Sequence, residues 1–210
     1  MKKFLAVVLA LLILSSVLVL NVTATDMSYL KFSKSTSWEL ETAPDKMPET
    51  IEVWFNVDPT NTSDTISIFG NAGQNVTYIP LIELWLGRKV DSATGDVYYL
   101  PRMEYYNAKD WGFENKGKAY YLNHCVINPG EWYHLVVTRD ASAGELYCYL
   151  NNSLVQTASN VNLKFEPFVT DDTYVVGGRL ETPNNSYFNG EIASIAVYSD
   201  TRKQSEIANS

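Results

Sequence analysis

The stretch Gly130–Val155, GEWYHLVVTRDASAGELYCYLNNSLV, decides the fold class. Its first half sets Trp132, His134, Val136 and Thr138 on one side and Tyr133, Leu135, Val137 and Arg139 on the other. That is the two-residue period of a strand with at least one apolar face. Asp140-Ala-Ser-Ala-Gly144 supplies turn chemistry, after which Leu146, Cys148 and Leu150 alternate with Tyr147 and Tyr149. Asn151-Asn152 tolerates the left-handed backbone of a tight hairpin, and Ser153-Leu154-Val155 begins the return. Three short antiparallel strands cannot bury their apolar sides alone, so a second sheet is required.

Outward from this core the strand signals recur. Ile51, Val53, Phe55 and Val57 alternate with Glu52, Trp54 and Asn56. Ser28–Phe32, Thr65–Phe69 and Thr173–Val176 read as short strands, and Ile192–Tyr198 closes the set. Tyr78–Leu86 and Val97–Tyr106 form a hairpin-like pair around 87–96, whose turn carries Thr94-Gly95. Only the tail 204–209 has a helical period. The expected fold is all-β, a two-sheet antiparallel sandwich.

Three stretches also resemble a known family. Gly130-Glu-Trp-Tyr-His-Leu-Val-Val-Thr-Arg139 with Leu146-Tyr-Cys-Tyr-Leu-Asn-Asn-Ser-Leu-Val155 is similar to the core motif of laminin-G-like, concanavalin A-like jelly rolls. Thr50-Ile-Glu-Val-Trp-Phe-Asn-Val57 resembles that family's early strand, and Phe188-Asn-Gly-Glu-Ile-Ala-Ser-Ile-Ala-Val-Tyr198 its closing strand. The order matches the family, and the stretches frame residues 28–198. The resemblance implies a jelly roll, an architecture that hosts lectins, glycan-binding modules, adhesion domains and some glycoside hydrolases.

Met1-Lys2-Lys3, the apolar run Phe4–Leu20 and the small residues Val22-Thr23-Ala24 read as an export signal over residues 1–24. The expected product is secreted or cell-surface, with one jelly-roll domain over 25–200. A tail at 201–210 then either ends the domain or begins a linker or further domain. Removing the signal takes two lysines and no acids, leaving 14 basic and 24 acidic residues, a formal charge of −10. This balance disfavours nucleic acid and anionic membrane as partners and suits a monomer kept soluble by self-repulsion.

Cys125 and Cys148 invite a disulfide in an exported chain. If 120–127 is a strand beside Trp132–Arg139, the two cysteines lie two strand spacings apart, roughly 9.5 Å. If it lies in the opposite sheet they are about 10 Å apart. Both exceed the ~7 Å limit between bridged Cα atoms, so buried free thiols are expected.

The hydrolases of this fold carry carboxylates two to four residues apart on one strand, as a glycosidic bond needs an acid and a nucleophile on one face. Glu52, Glu83 and Glu191 each lack such a partner along their own strand. A surface without a coupled acid pair, and no catalysis, is therefore expected. His124 and His134 are read as strand-edge or hydrogen-bonding residues, since no nucleophile motif accompanies them. No cofactor is expected. Ca²⁺ has two weak candidate loops, Asp58 with Asn61 and Asp64, and Asp171 with Asp172, which read better as local Asx turns.

Glycan binding has its best support in the loop Glu104-Tyr-Tyr-Asn-Ala-Lys-Asp-Trp-Gly-Phe113. Sugar rings stack on aromatic faces while Asp, Asn and Lys pair with hydroxyls. Trp111, Tyr106, Asn107 and Asp110 are the candidate ligand contacts, with Lys109 beside them. The alternative reading has these aromatics plugging the open end of the sandwich. Trp54, Trp85 and Trp132 are read as sheet-packing residues. The functional expectation is an exported, non-catalytic, carbohydrate-binding domain for a polysaccharide or glycoconjugate. The alternatives are a protein-interaction or targeting domain at the front of a larger extracellular hydrolase or phosphoesterase, and a glycoside hydrolase.

Overall fold

The computed structural model describes residues 18–19, 29–33, 37–39, 48–70, 81–106, 118–159, 174–178 and 187–207. The described strands are β1 (Leu18–Val19), β2 (Leu30–Phe32), β3 (Trp38–Glu39), β4 (Thr50–Val57), β5 (Thr65–Gly70), β6 (Leu81–Val90) and β7 (Val97–Tyr106). They continue with β8 (Lys118–Tyr121), β9 (Trp132–Asp140), β10 (Glu145–Leu150), β11 (Ser153–Ser159), β12 (Val175–Val176) and β13 (Gly190–Tyr198). The helix α1 (Gln204–Ile207) follows. One sheet runs β1-β13-β4-β9-β10-β11 with β2 also on β13, and the other runs β3-β12-β5-β6-β7-β8. All described pairings are antiparallel, as a jelly-roll sandwich requires.

Alternation places the core. Ile51, Val53, Phe55 and Val57 of β4, Leu135 and Val137 of β9, and Leu146 of β10 face inward. They meet Ile66 and Ile68 of β5, Ile82, Leu84 and Leu86 of β6, and Tyr99, Met103 and Tyr105 of β7. Each fully buried aliphatic or Phe side chain contributes about 1.5–3 kcal/mol relative to exposure. The turn between β10 and β11 is the expected one: Asn151 and Asn152 take φ of 49° and 65°. Asn151 Oδ1 also accepts the His134 N–H at 3.0 Å, tying the turn to β9. The Phe188-Asn-Gly190 motif has a steric reason as well. Phe188 is buried in the core, and at Gly190 (φ +154°) a Cβ would stand 2.1 Å from the Asn56 carbonyl oxygen.

Several expectations need correction. β6 runs on to Val90, so the turn is Asp91–Asp96 rather than 87–96; Asp91 N donates to Asp96 O at 2.9 Å. The segment 120–127 is not one strand. β8 ends at Tyr121; Leu122 N still donates to Pro101 O of β7 at 2.9 Å, the chain then turns at Leu122–Cys125 and meets β7 again at Ile127 and Tyr99. This crossing carries Cys125 into the core opposite β10, where it forms a disulfide with Cys148 at a Cα–Cα distance of 7.3 Å. The expectation of free thiols fails because it assumed a strand where there is a crossing loop.

The end of the chain packs rather than trails. Ile207 of α1 is buried on the outer face of the seven-stranded sheet with Val136 and Tyr149. Thr50 Oγ1 donates to the Asp200 carbonyl at 2.8 Å and accepts from Arg202 N at 3.1 Å. Leu18–Val19, inside the expected export signal, pairs with the edge of β13 at Val197 and Ala196. Among the described residues no helix is long and apolar enough to cross a membrane.

Candidate functional site

Of the residues expected to hold a glycan, Asn107, Lys109, Asp110 and Trp111 lie outside the described residues. Tyr106 ends β7, its backbone paired with Leu81 of β6. What is described is the sheet surface of β6, β7 and β8. Ile82, Leu84 and Leu86 point into the core, so Glu83 and Trp85 of β6 point outward. The register sets Glu83 opposite Glu104 and Trp85 opposite Arg102 of β7, and Arg102 opposite Tyr121 of β8. Directly opposed residues share a face with Cβ atoms about 4.5–5.5 Å apart.

Glu83 and Glu104 are therefore a cross-strand acid pair that strand-by-strand reading missed. Each lacks a carboxylate on its own strand, and the partner comes from across the hairpin. Glu83 is 1% exposed and Glu104 5%. Ser67 Oγ donates to Glu83 Oε1 at 3.4 Å. Gly70, opposite Glu83 on β5, keeps the space clear, since a Cβ there would lie 2.9 Å from Glu83 Cγ. Arg102 Nη2 meets Glu104 Oε1 at 2.5 Å. Its guanidinium lies over the Trp85 ring at 5.6 Å and the Tyr121 ring at 5.7 Å, contacts that hold a flexible cation in one place.

Exposure rises in steps across this surface. Glu83, Glu104 and Trp85 are buried, Arg102 is half-buried, and Tyr121 on β8 is 55% exposed. Arg102 Nε has no hydrogen-bond partner among the described residues. A carboxylate pair accepts hydrogen bonds from hydroxyls, a planar guanidinium donates them, and a tyrosine face accepts a sugar's C–H side. Those groups stand here in two neighbouring cross-strand rows, Glu83–Glu104 and Trp85–Arg102–Tyr121.

The seven-stranded sheet carries a second polar group on its own outer face. His134 Nε2 meets Glu52 Oε1 at 2.8 Å, and Nδ1 meets Asn152 Oδ1 at 2.7 Å. Trp54 stacks on the imidazole at 4.7 Å and 9°, and Tyr198 donates its hydroxyl to Glu52 Oε2 at 3.3 Å. Burial first, and then the Glu52 charge, push the Tyr198 hydroxyl pKa up. His134 is 1% exposed, and both ring nitrogens are spent on protein oxygens. This group orders the sheet, in line with the reading of His134 as a hydrogen-bonding residue. His124 sits in an exposed turn, its backbone N–H donating to Gln156 Oε1 at 2.9 Å.

Trp54, Trp85 and Trp132, expected to pack between sheets, all lie on outward faces. Trp54 and Trp132 are half-exposed and Trp85 is nearly covered. Of the calcium candidates, Asp58 Oδ1 accepts from Thr60 N at 2.7 Å and Thr60 Oγ1 at 2.6 Å, and Asn61 Oδ1 accepts from Ser63 N at 3.0 Å. These are local Asx turns. Asp171 and Asp172 lie outside the described residues.

The chain is similar in structure to the CBM40 domain of the Ruminococcus gnavus IT-sialidase bound to α2,3 sialyllactose. The TM-score is 0.61 at 16% identity, over 86% of this chain and 94% of that one. It is similar to NanB sialidase from Streptococcus pneumoniae (its K499G mutant), with a TM-score of 0.59 at 13% identity over 87% of this chain and 27% of that one. It is also similar to domain 4 of AbnA, a GH43 extracellular arabinanase from Geobacillus stearothermophilus, in complex with arabinotriose. That match has a TM-score of 0.53 at 16% identity, over 86% of this chain and 75% of that one. A search of curated proteins finds no match. A family model for the concanavalin A-like lectin/glucanases superfamily matches residues 28–208. The chain belongs to the concanavalin A-like lectin/glucanases superfamily.

Proposed function

We propose that this protein is an exported carbohydrate-binding domain whose glycan lies on the outer face of the six-stranded sheet. The observation that carries the reading is the patch of two adjacent rows, Glu83–Glu104 and Trp85–Arg102–Tyr121, which grades from buried acids to an exposed ring. Of these groups, Arg102, held in place by Glu104, donates to sugar hydroxyls, and the exposed Tyr121 takes an apolar sugar face. Asn107, Asp110 and Trp111 follow β7 in the sequence, and with Tyr106 at the strand end they remain candidate ligand contacts on their chemistry. The similar R. gnavus and G. stearothermophilus domains are described with sialyllactose and arabinotriose, so anionic and neutral glycans both belong in the test.

Binding without hydrolysis fits this geometry. Glu83 and Glu104 are sunk below the aromatic rim and Glu104 is engaged by Arg102, whereas an acid catalyst must reach a glycosidic oxygen. No metal is needed for the contacts described. The match to 27% of a sialidase chain also supports a role as an accessory domain of a larger extracellular enzyme. Export rests on the leader-like residues 1–24, and amino-terminal sequencing of the released protein should begin at Thr25.

Affinity electrophoresis through gels containing neutral or sialylated polysaccharides tests the proposal. The protein should be retarded by at least one, Arg102→Ala should lose that retardation by about tenfold in affinity, and no reducing sugar should be released. Unretarded migration in every gel, or full retention by Arg102→Ala, would refute the site.

A further inference from the structure

The opposite side of the sandwich carries a row of its own. The register places Lys31 of β2 opposite Glu191 of β13, Glu191 opposite Asn56 of β4, and Asn56 opposite Trp132 of β9. Phe32, Phe55, Val57 and Tyr133 face the core, so their neighbours Lys31, Asn56 and Trp132 face outward. Four strands at about 4.8 Å spacing make this row about 14 Å long, the reach of a short oligosaccharide rather than of one sugar. Tyr29, 49% exposed, leans across to Trp132 at a ring distance of 6.0 Å and a tilt of 58°. Trp54, half-exposed, adds an indole held flat by its stack on His134.

The polar members are placed for hydroxyl groups. Asn56 Oδ1 is buried and has no hydrogen-bond partner among the described residues, an orphan acceptor beside three aromatic rings. Lys31 brings donors and Glu191 acceptors, and the Lys31 charge is answered by Glu191 opposite it and by the Asp58 carboxylate. A neutral ligand rich in hydroxyls therefore complements the row better than an anion or a cation does. The charged pair Lys31 and Glu191 within the row distinguishes it from the centre of a protein-docking patch, which is depleted in charged residues.

We propose that this outer face of the seven-stranded sheet, built from Tyr29, Trp132, Trp54 and Asn56, is a second carbohydrate-contacting surface that takes a segment of a neutral polysaccharide. Two surfaces on opposite faces let one domain bridge two chains of an insoluble or branched glycan, and simultaneous engagement raises retention without any new contact type.

The test is affinity electrophoresis of the full chain through gels of soluble β-glucan, arabinan and galactomannan. Tyr29→Ala/Trp132→Ala is compared with Arg102→Ala and with the triple variant. The partly exposed single variants Tyr29→Ala and Asn56→Ala guard against a fold effect. In the gel that retards the wild type, the aromatic double variant should bind about tenfold more weakly. Tyr29→Ala should bind several-fold more weakly, Arg102→Ala should keep part of the retardation, and the triple variant should keep none. Retardation of Tyr29→Ala, Asn56→Ala and the double variant equal to wild type overturns the second surface. So does complete loss in Arg102→Ala alone, which leaves the first site standing. Wild-type migration unaffected by all three neutral polysaccharides overturns it as well.

Discussion

Two polar clusters, one on each outer face of this sandwich, use similar residues to opposite ends. On the seven-stranded sheet, Glu52, His134, Asn152 and Tyr198 satisfy one another, and α1 presses Ile207 onto the neighbouring Val136 and Tyr149. On the six-stranded sheet, Glu83, Glu104 and Arg102 are also joined, but the cluster climbs to an exposed Tyr121 and an Arg102 Nε without a described partner. A carboxylate beside a tryptophan-stacked ring or guanidinium is thus not a function in itself. What separates scaffold from site is whether the polar atoms are already spent on the protein.

Breaking the link between the faces should have the largest effect. The Cys125–Cys148 bond ties the loop leaving β8 to β10 across a sequence separation of 23 residues. The double variant Cys125→Ala/Cys148→Ala should lose about 3 kcal/mol in denaturant unfolding, with any effect on glycan affinity following from unfolding alone. Glu52→Ala comes next. It leaves a buried imidazole nitrogen without its acceptor and should cost about 2 kcal/mol of stability, with no change in glycan affinity for the six-stranded face. Arg102→Ala should differ in adding a binding effect: it removes the guanidinium paired with the nearly buried Glu104, costing about 2 kcal/mol, and also weakens glycan retention about tenfold. If Glu52→Ala and Arg102→Ala both lowered stability and spared retention, the contrast between the faces would vanish.

A smaller effect concerns the β9–β10 turn, remote from both polar clusters. The Ser142 hydroxyl, and then the Ala143 N–H, hold the Asp140 carboxyl below its ordinary 3.8. A depressed folded-state pKa contributes stability that is present above 3.8 and is lost as pH falls through the folded value. Because Asp140 is solvent-screened, Asp140→Ala should cost less than about 1 kcal/mol near neutrality. Its deficit relative to wild type should shrink as pH drops below 3.8. Paired chemical-denaturation curves at pH 7 and in acid measure this.

The scaffold was more legible than the site, for reasons particular residues make plain. Local patterns specify local structure: the alternation over Thr50–Val57 and the Asn151-Asn152 turn each carry their own steric cause, and each stands in the structure as read. The acid pair depends instead on register, which is set elsewhere. Once the turn is placed between Val90 and Val97, counting back seven residues along each strand brings Glu83 opposite Glu104. Placing the turn four residues early hides the pair. The disulfide was missed in the same way, since strand spacing measures nothing once the chain has left its sheet at Leu122. The loop candidates Asn107, Asp110 and Trp111 rest on composition, and their contribution is a matter for mutation.

The most direct test of the central claim is a ¹H–¹⁵N correlation titration of the labelled protein with an oligosaccharide cut from whichever polysaccharide retards it. The account predicts saturable shifts at the Trp85 indole, the Arg102 side-chain Nε–H and the backbone amides of Glu83, Glu104 and Tyr121. Saturable binding that leaves those signals on β6, β7 and β8 unmoved would contradict it.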